Sequence, residues 1–238
     1  MPTILAIETS SEIASVALLH GTQLIQRESS GVQTHSQTVL PMVQSVLAEA
    51  GIKLNQCNAI AFGAGPGSFT GVRTACGITQ GLAFGAAIPV IPVVTLLAAA
   101  VACRQTSTER DVQDVLVLLD ARMNEVYWAQ YRYQGQTGRW QIVSAPALAA
   151  AADVRAQGQV ITCGNGLSAY ATSLDATVAA MPGRPDLMPH AAQIAQLGRA
   201  AFIRGETLET EQAQPFYLRN KIAFTSAERA LKAAKAAA

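Results

Sequence analysis

The sequence predicts an α/β fold made of two related lobes, and three features carry that expectation. Four apolar residues followed by an acid, Ile4 to Glu8, recur as Leu116 to Asp120, and each copy leads through a short polar turn into a second strand pattern, ASVALL or EVYWAQY. The apolar run Ala59 to Phe62 enters a glycine-rich turn, GAGPGSFTGVR at 63–73, which opens into a helical pattern. The chain of 238 residues is long enough for two lobes of roughly 100 residues each.

The elements follow in order. TILAIET is a buried strand, Ser10-Ser11-Glu12 a turn, ASVALLHG a second strand ending in Gly21, and QLIQRESS a third, antiparallel one. THSQTVLPMVQSVLAEAG is a helix closed by Gly51; its apolar residues Val39, Leu40, Met42, Val43, Val46 and Leu47 cover an arc wide enough for burial on two sides. Pro41 lies early in that helix, where proline is tolerated.

The glycine-rich turn invites comparison with phosphate loops, which present backbone N–H groups at a helix N-terminus. Its spacing meets neither standard fingerprint: Gly67 and Gly71 are followed by Val72-Arg73 rather than Lys-Ser/Thr, and Gly63-x-Gly65 is followed by Ser68 where a third glycine belongs. Two readings stay open. Either the loop cradles an anion, or Gly63, Gly65 and Gly67 supply unusual backbone angles to a tight turn and Ser68 or Thr70 caps the helix. That helix, from about Thr70 to Phe84, holds Gly77 and Gly81, with Gly85 at the same step. Interior glycine costs a helix about 1 kcal/mol against alanine, so the stripe implies close approach of another helix, inside the chain or from a partner.

IPVVTLLAAAVACR is a buried strand entering a helix, and the polar RQTSTERDVQD marks the boundary between lobes at 1–105 and 106–220. In the second lobe Tyr127, Trp128, Tyr131 and Tyr133 fit sheet packing, with stacking on a base as the alternative. ALAAAADVRAQ reads as helix, GQVITCGNG as strand and turn, and HAAQIAQLGRAAFIRG as an amphipathic helix with Ile194, Leu197, Ala201 and Phe202 on one side. The tail 221–238 favours helix but has little to bury, so a mobile segment or an appendage is expected.

Composition excludes several function classes. Charged residues make up 14%, against about 25% in ordinary soluble chains, and hydrophobic ones 50%, which suits a surface partly covered by a partner. A net charge of +1 offers no basic footprint for unaided nucleic-acid binding. Cys57, Cys76, Cys103 and Cys163 are scattered without CxxC spacing, as in reduced, buried thiols of a cytosolic protein. No signal-peptide pattern or membrane-spanning run is expected: Glu8 interrupts the first apolar stretch, and Pro89 and Pro92 break the nearest other one. His20, His35 and His190 form no metal-binding pair, and GPGSFTG misses the spacing of a serine nucleophile elbow. Glu8 and Asp120 remain, each ending a strand beside a polar turn. They are either turn carboxylates or the paired acids that hold the waters of a magnesium–nucleotide complex between two lobes.

ILAIETS, HSQTVLPMV, GAGPGSFTGVRTACGITQGLA, IPVVTL, LDARMNEVYWAQY and PFYLRN stand in the order found in the TsaB (YeaZ) family, which the chain resembles over nearly its whole length. The resemblance implies the duplicated actin/sugar-kinase/Hsp70-like (ASKHA) fold with ribonuclease H-like lobes. It also implies a non-catalytic subunit that pairs with TsaD and works with TsaE. Together they transfer threonylcarbamoyl from its adenylate to the adenosine beside the anticodon of ANN-decoding tRNAs. The two histidines that hold the metal in TsaD correspond here to Thr95 and Ala99, so no metal ligand is implied. No cofactor is implied for the chain alone, with ATP or ADP and magnesium admissible in the complex. Glu8, Thr9, Ser10 and Asp120 are then a vestigial nucleotide site, and the glycine-rich turn the remnant of a phosphate loop. His35, Val39, Val43, Leu47, Arg73, Thr74, Gly77, Ile78 and Gly81 are the implied interface with TsaD, or with a second copy when TsaD is absent. The implied location is the cytoplasm, with tRNA met only through the complex and no membrane contact. The alternative is an independent ATP-hydrolysing or phosphotransfer enzyme using Glu8 and Asp120.

Overall fold

Strand β1 (Ile4–Glu8) is buried along its whole length because it lies mid-sheet with both faces covered, which is why it reads as a continuous apolar run. A computed structural model describes residues 1–30, 35–107 and 113–219; part of the polar boundary and the tail 221–238 lie outside the described residues. β1 pairs antiparallel with β2 (Ile13–His20), Ile4 opposite Leu19 and Glu8 opposite Ser15, and β2 pairs with β3 (Gln23–Ser30). On its other side β1 runs parallel to β4 (Ala59–Gly65), which runs parallel to β5 (Val90–Val94). The order is β3-β2-β1-β4-β5, with α1 (His35–Ala50) and α2 (Phe69–Ala86) packed on the Leu5, Ile7 and Phe62 face.

The second sheet repeats the first. β6 (Asp114–Asp120) takes the place of β1, β7 (Glu125–Gln134) and β8 (Arg139–Ala150) form the antiparallel wing, and β9 (Ile161–Cys163) and β10 (Gly183–Arg184) the parallel one. The order β8-β7-β6-β9-β10 has the same connectivity, so the repeat seen between Ile4–Glu8 and Leu116–Asp120 is a duplicated fold. Two ribonuclease H-like lobes make up the two-lobe actin/sugar-kinase-like architecture.

The last helix of each lobe crosses to the other. α3 (Thr95–Thr106) follows the first sheet yet buries Leu96, Ala99, Ala100 and Cys103 against Val115, Val117 and Tyr131 of the second. After the short turns α4 (Gly166–Ala169) and α5 (Ala176–Ala179), α6 (Ala191–Ile203) returns to the first sheet and buries Ile194 and Ala195 against Ile4, Ala6, Ala61 and Val93. Its expected side is the one that packs: Ala201 is buried and Leu197 and Phe202 are partly so. The division at 105/106 thus separates the sheets, while their covering helices are exchanged.

Two sequence expectations fail for tertiary reasons. ALAAAADVRAQ is not a helix: β8 runs on to Ala150, paired through Ala149 with Val126 and through Ala150 with Glu125, and only Ala151–Asp153 make a helical turn. Alanine's helix preference amounts to tenths of a kcal/mol per residue, less than the backbone hydrogen bonds offered by the open edge of β7. The arc of α1 is not buried on two sides either: Val39, Met42, Val43, Val46 and Leu47 enter one core, and Leu40 is 44% exposed. All four cysteines are buried and unpaired. Among the described residues no helix is long and apolar enough to cross a membrane.

Candidate functional site

The glycine-rich loop between β4 and α2 is shaped around the turn that follows β1. A Cβ on Gly63 would lie 1.8 Å from Glu8 Oε2, one on Gly67 2.6 Å from Ser10 Cβ, and one on Gly71 1.9 Å from the Thr9 carbonyl oxygen. Hydrogen bonds lock the fit. Ser68 N–H donates to the Ser10 carbonyl at 2.8 Å, and the Thr9 hydroxyl donates to the Gly71 carbonyl at 2.7 Å. Ser68, not Thr70, caps α2, accepting from Gly71 N–H at 3.4 Å. The amides of Ser68 and Gly71 are therefore committed inside the chain. The tight-turn reading accounts for the glycines. Thr95, at the implied metal position, donates to the Pro66 carbonyl at 2.5 Å, and Ala99 is buried.

The two strand-end acids do not meet. Glu8 is 0% exposed; its Oε1 accepts from Ser10 N–H at 2.5 Å, while Oε2 has no hydrogen-bond partner among the described residues. Burial raises its pKa to about 7, against the lowering effect of the Ser10 and Thr9 hydrogen bonds. Asp120 does reach the space between the lobes, a cleft of about 440 Å³. Its Oδ1 accepts from Arg122 N–H and the Tyr170 hydroxyl, both at 2.7 Å, and its Oδ2 lies 3.1 Å from the Arg122 guanidinium. Of the four expected nucleotide-site residues, Ser10 and Asp120 line the cleft, and Glu8 and Thr9 do not. The two acids expected as a pair are thus placed differently: the carboxyl of Glu8 tucks under the bare α-carbon of Gly63, and Asp120 lines the cleft.

The cations lining the cleft are already matched. Arg122 also crosses it to Glu12 of the first lobe at 3.3 Å, and Arg219 pairs with Glu125 at 2.5 Å. Tyr127 lines the cleft; the other aromatics pack, with Tyr131 buried and Tyr133 edge-on to Trp140 at 5.3 Å under the Arg104 guanidinium. His190 caps α6 by accepting from Ala192 N–H and pairs with Glu28 at 3.2 Å; burial lowers its pKa. Among the described residues no group of three His, Cys, Asp or Glu side chains is placed to hold a metal ion.

α2 presents the other candidate surface. Gly77, Gly81 and Gly85 are exposed, with nothing within 4 Å of an added Cβ, so among the described residues no helix packs on the stripe. Phe84 beside it is 79% exposed. At the N-terminal end the Arg73 guanidinium lies 3.3 Å from the centre of the Phe69 ring. Thr74 bonds back to the Thr70 carbonyl of its own helix, and Ile78 is partly buried against the core. On α1 the expected interface residues His35, Val39, Val43 and Leu47 are buried within this chain; Leu40 and Pro41 are exposed, as are the more polar positions Ser36, Gln37, Gln44 and Glu49. Sequence reasoning did not select Phe69, Phe84 and Leu40, although Phe84 stands one helical step from Gly81.

Comparison with known proteins gives three concordant findings. Residues 22–172 match the family model described as TsaD, tRNA N6-adenosine threonylcarbamoyltransferase. Two curated relatives are each named tRNA threonylcarbamoyladenosine biosynthesis protein TsaB. The Haemophilus influenzae protein is 35% identical over 92% of this chain and 94% of its own length, and the Escherichia coli protein 37% identical over 93% and 96%. Among solved structures, YeaZ from Pseudomonas aeruginosa superposes with a TM-score of 0.83 at 38% identity, covering 92% of this chain and all of that one.

Proposed function

Because the chain belongs to the TsaB (YeaZ) family of tRNA threonylcarbamoyladenosine biosynthesis proteins, we propose that it serves that modification as a non-catalytic subunit which binds and activates TsaD. TsaD, with TsaE, then transfers threonylcarbamoyl to the adenosine beside the anticodon of ANN-decoding tRNAs, in the cytoplasm. This chain meets tRNA through the complex and requires no cofactor of its own. The observation that carries the reading is the contrast between its two surfaces. The acid that would have to serve a nucleotide in the cleft, Glu8, is sealed beneath Gly63, whereas α2 offers a side-chain-free stripe flanked by an exposed phenylalanine.

Gly81→Leu tests it. The position has open space within this chain, so leucine leaves the isolated protein folded but stands where a docking helix would approach. Overpacking of about 1–3 kcal/mol corresponds to roughly a ten- to hundredfold weaker complex. Co-purification with TsaD and a reconstituted tRNA modification assay should fall together. Normal binding by Gly81→Leu would remove α2 from the interface. Without TsaD, the same face pairs two copies; sedimentation at micromolar protein should give a dimer that TsaD converts to a heterodimer, and a strict monomer would contradict this.

A further inference from the structure

We propose that the segment Ala213–Arg219 is a strap that couples the α2 helix of the first lobe to the interlobe cleft. The coupling is a property of this chain alone and holds whether or not α2 docks a partner. After α6 the chain pairs Leu208 with Val90 on the edge of the first sheet, with both bonds at 2.9 Å. It then lies along α2, where Gln80 Nε2 donates to the carbonyls of Thr210 at 3.2 Å and Ala213 at 3.1 Å, and the Cys76 thiol donates to Ala213 at 3.6 Å. Phe216 N–H donates to the Ala64 carbonyl at 2.7 Å, and Gly65 is bare where a Cβ would lie 2.7 Å from the Phe216 oxygen. The Tyr217 ring sits 6.0 Å from that of Phe69 and 5.2 Å from the Arg73 guanidinium.

The far end of the strap enters the second lobe. Arg219 donates to the Ala121 carbonyl at 3.0 Å and to Glu125, with Met123 Sδ 2.9 Å away. These contacts brace the turn between β6 and β7, in which Arg122, Met123 and Asn124 have φ of 61°, 60° and 63°. Three successive left-handed residues without a glycine are costly and persist only where neighbours hold them. Besides the backbone bonds between Glu125 and both Arg122 and Ala121, the groups that hold it include Asp120, which accepts from Arg122 N–H, and Arg219. So held, the turn sends Arg122 across the cleft to Glu12. One continuous segment therefore links Gln80 on α2 to the residue that bridges the lobes.

Hydrogen–deuterium exchange on the full chain, read by peptide, tests the strap from both ends. Arg219→Ala should speed exchange of 119–126 roughly ten- to a hundredfold, as loss of a charge-assisted anchor does. Gln80→Ala touches neither the turn nor Glu12, yet should speed exchange of both 210–217 and 119–126, the latter roughly fivefold, the size of one neutral hydrogen bond. Arg132→Ala, which breaks a pair with Asp114 in the same lobe, controls for lost charge and should leave these peptides unchanged. An effect of Gln80→Ala confined to α2 and 210–217 overturns the coupling. So does an Arg219→Ala effect that speeds β1 and β4 as much as 119–126, since Arg219 would then support the fold at large. If Arg219→Ala does not fold, the reach of Gln80→Ala into 119–126 decides alone.

Discussion

Glu8 carries its carboxyl where water does not reach, and that makes it a source of pH dependence. Its folded pKa of about 7 lies above the ordinary value of 4.5. Below the lower value both states hold the proton. As pH rises through the interval the unfolded chain ionises first, so stability falls and the full cost is present above the folded pKa. A shift of that size corresponds to about 3 kcal/mol. Glu8→Gln cannot ionise, so chemical denaturation at about pH 4.5 and about pH 8 should show the variant gaining by that amount on the native protein; parallel pH profiles would refute the burial argument. Gly63 is the steric counterpart. Gly63→Ala should destabilise by about 1–3 kcal/mol or more, because the new methyl meets Glu8 Oε2, and Glu8→Ala in the same chain should recover part of the loss. Additive losses in the double-mutant cycle would show that the two residues do not collide. Strand-end Glu8 was legible from the sequence; its enclosure was not, because it depends on a glycine more than fifty residues away.

At the scale of the element, α2 carries three glycines on which none of the described residues packs. With open space at Gly77 and Gly81, alanine there should raise the melting temperature of the isolated protein, each by the equivalent of up to about 1 kcal/mol. Ala87 closes the helix at φ 54°, where glycine is unstrained, so Ala87→Gly should also stabilise, by roughly 1 kcal/mol. A loss of stability in either case would mean that the isolated helix packs differently. The periodicity of α2 and the four-residue step of its glycine stripe were readable from spacing alone. Whether the stripe faced inward or outward was not, since that depends on which side Val72, Ala75 and Cys76 bury. β8 makes the opposite case, its alanines being decided by the edge of β7 rather than by their own preference.

At the scale of the whole molecule, the exchange of α3 and α6 ties the lobes into one folding unit. A fragment ending at Ser107 keeps every strand of the first sheet but loses α6, leaving Ile4, Ala6, Ala61 and Val93 without Ile194 and Ala195 and, among the described helical residues of their cluster, with only Ala98 of α3. Such a fragment should show no cooperative thermal transition by circular dichroism, whereas the full chain should melt in a single one. A cooperative melt of the fragment would show that the lobes fold independently. The strap adds a second crossing, from α2 to the β6–β7 turn. Communication between α2 and the cleft along the strap therefore needs no rearrangement of either sheet.

Consecutive residues specify β1 to β7 and β9, the two-lobe repeat, the absence of standard phosphate-loop spacing and, through the motifs, the family, whereas β8 and β10 were not readable from them. These properties are local: a run of four apolar residues ending in an acid, or a glycine every fourth position, is written in consecutive residues. The tertiary structure alone decided that Glu8 is sealed while Asp120 is not, that Val39 and Val43 belong to the core, and that Arg219 reaches the turn that bridges the lobes. Each of these depends on distant segments brought together by packing, where a bare α-carbon at Gly63 or an unpaired edge at β7 outweighs what the neighbouring residues prefer.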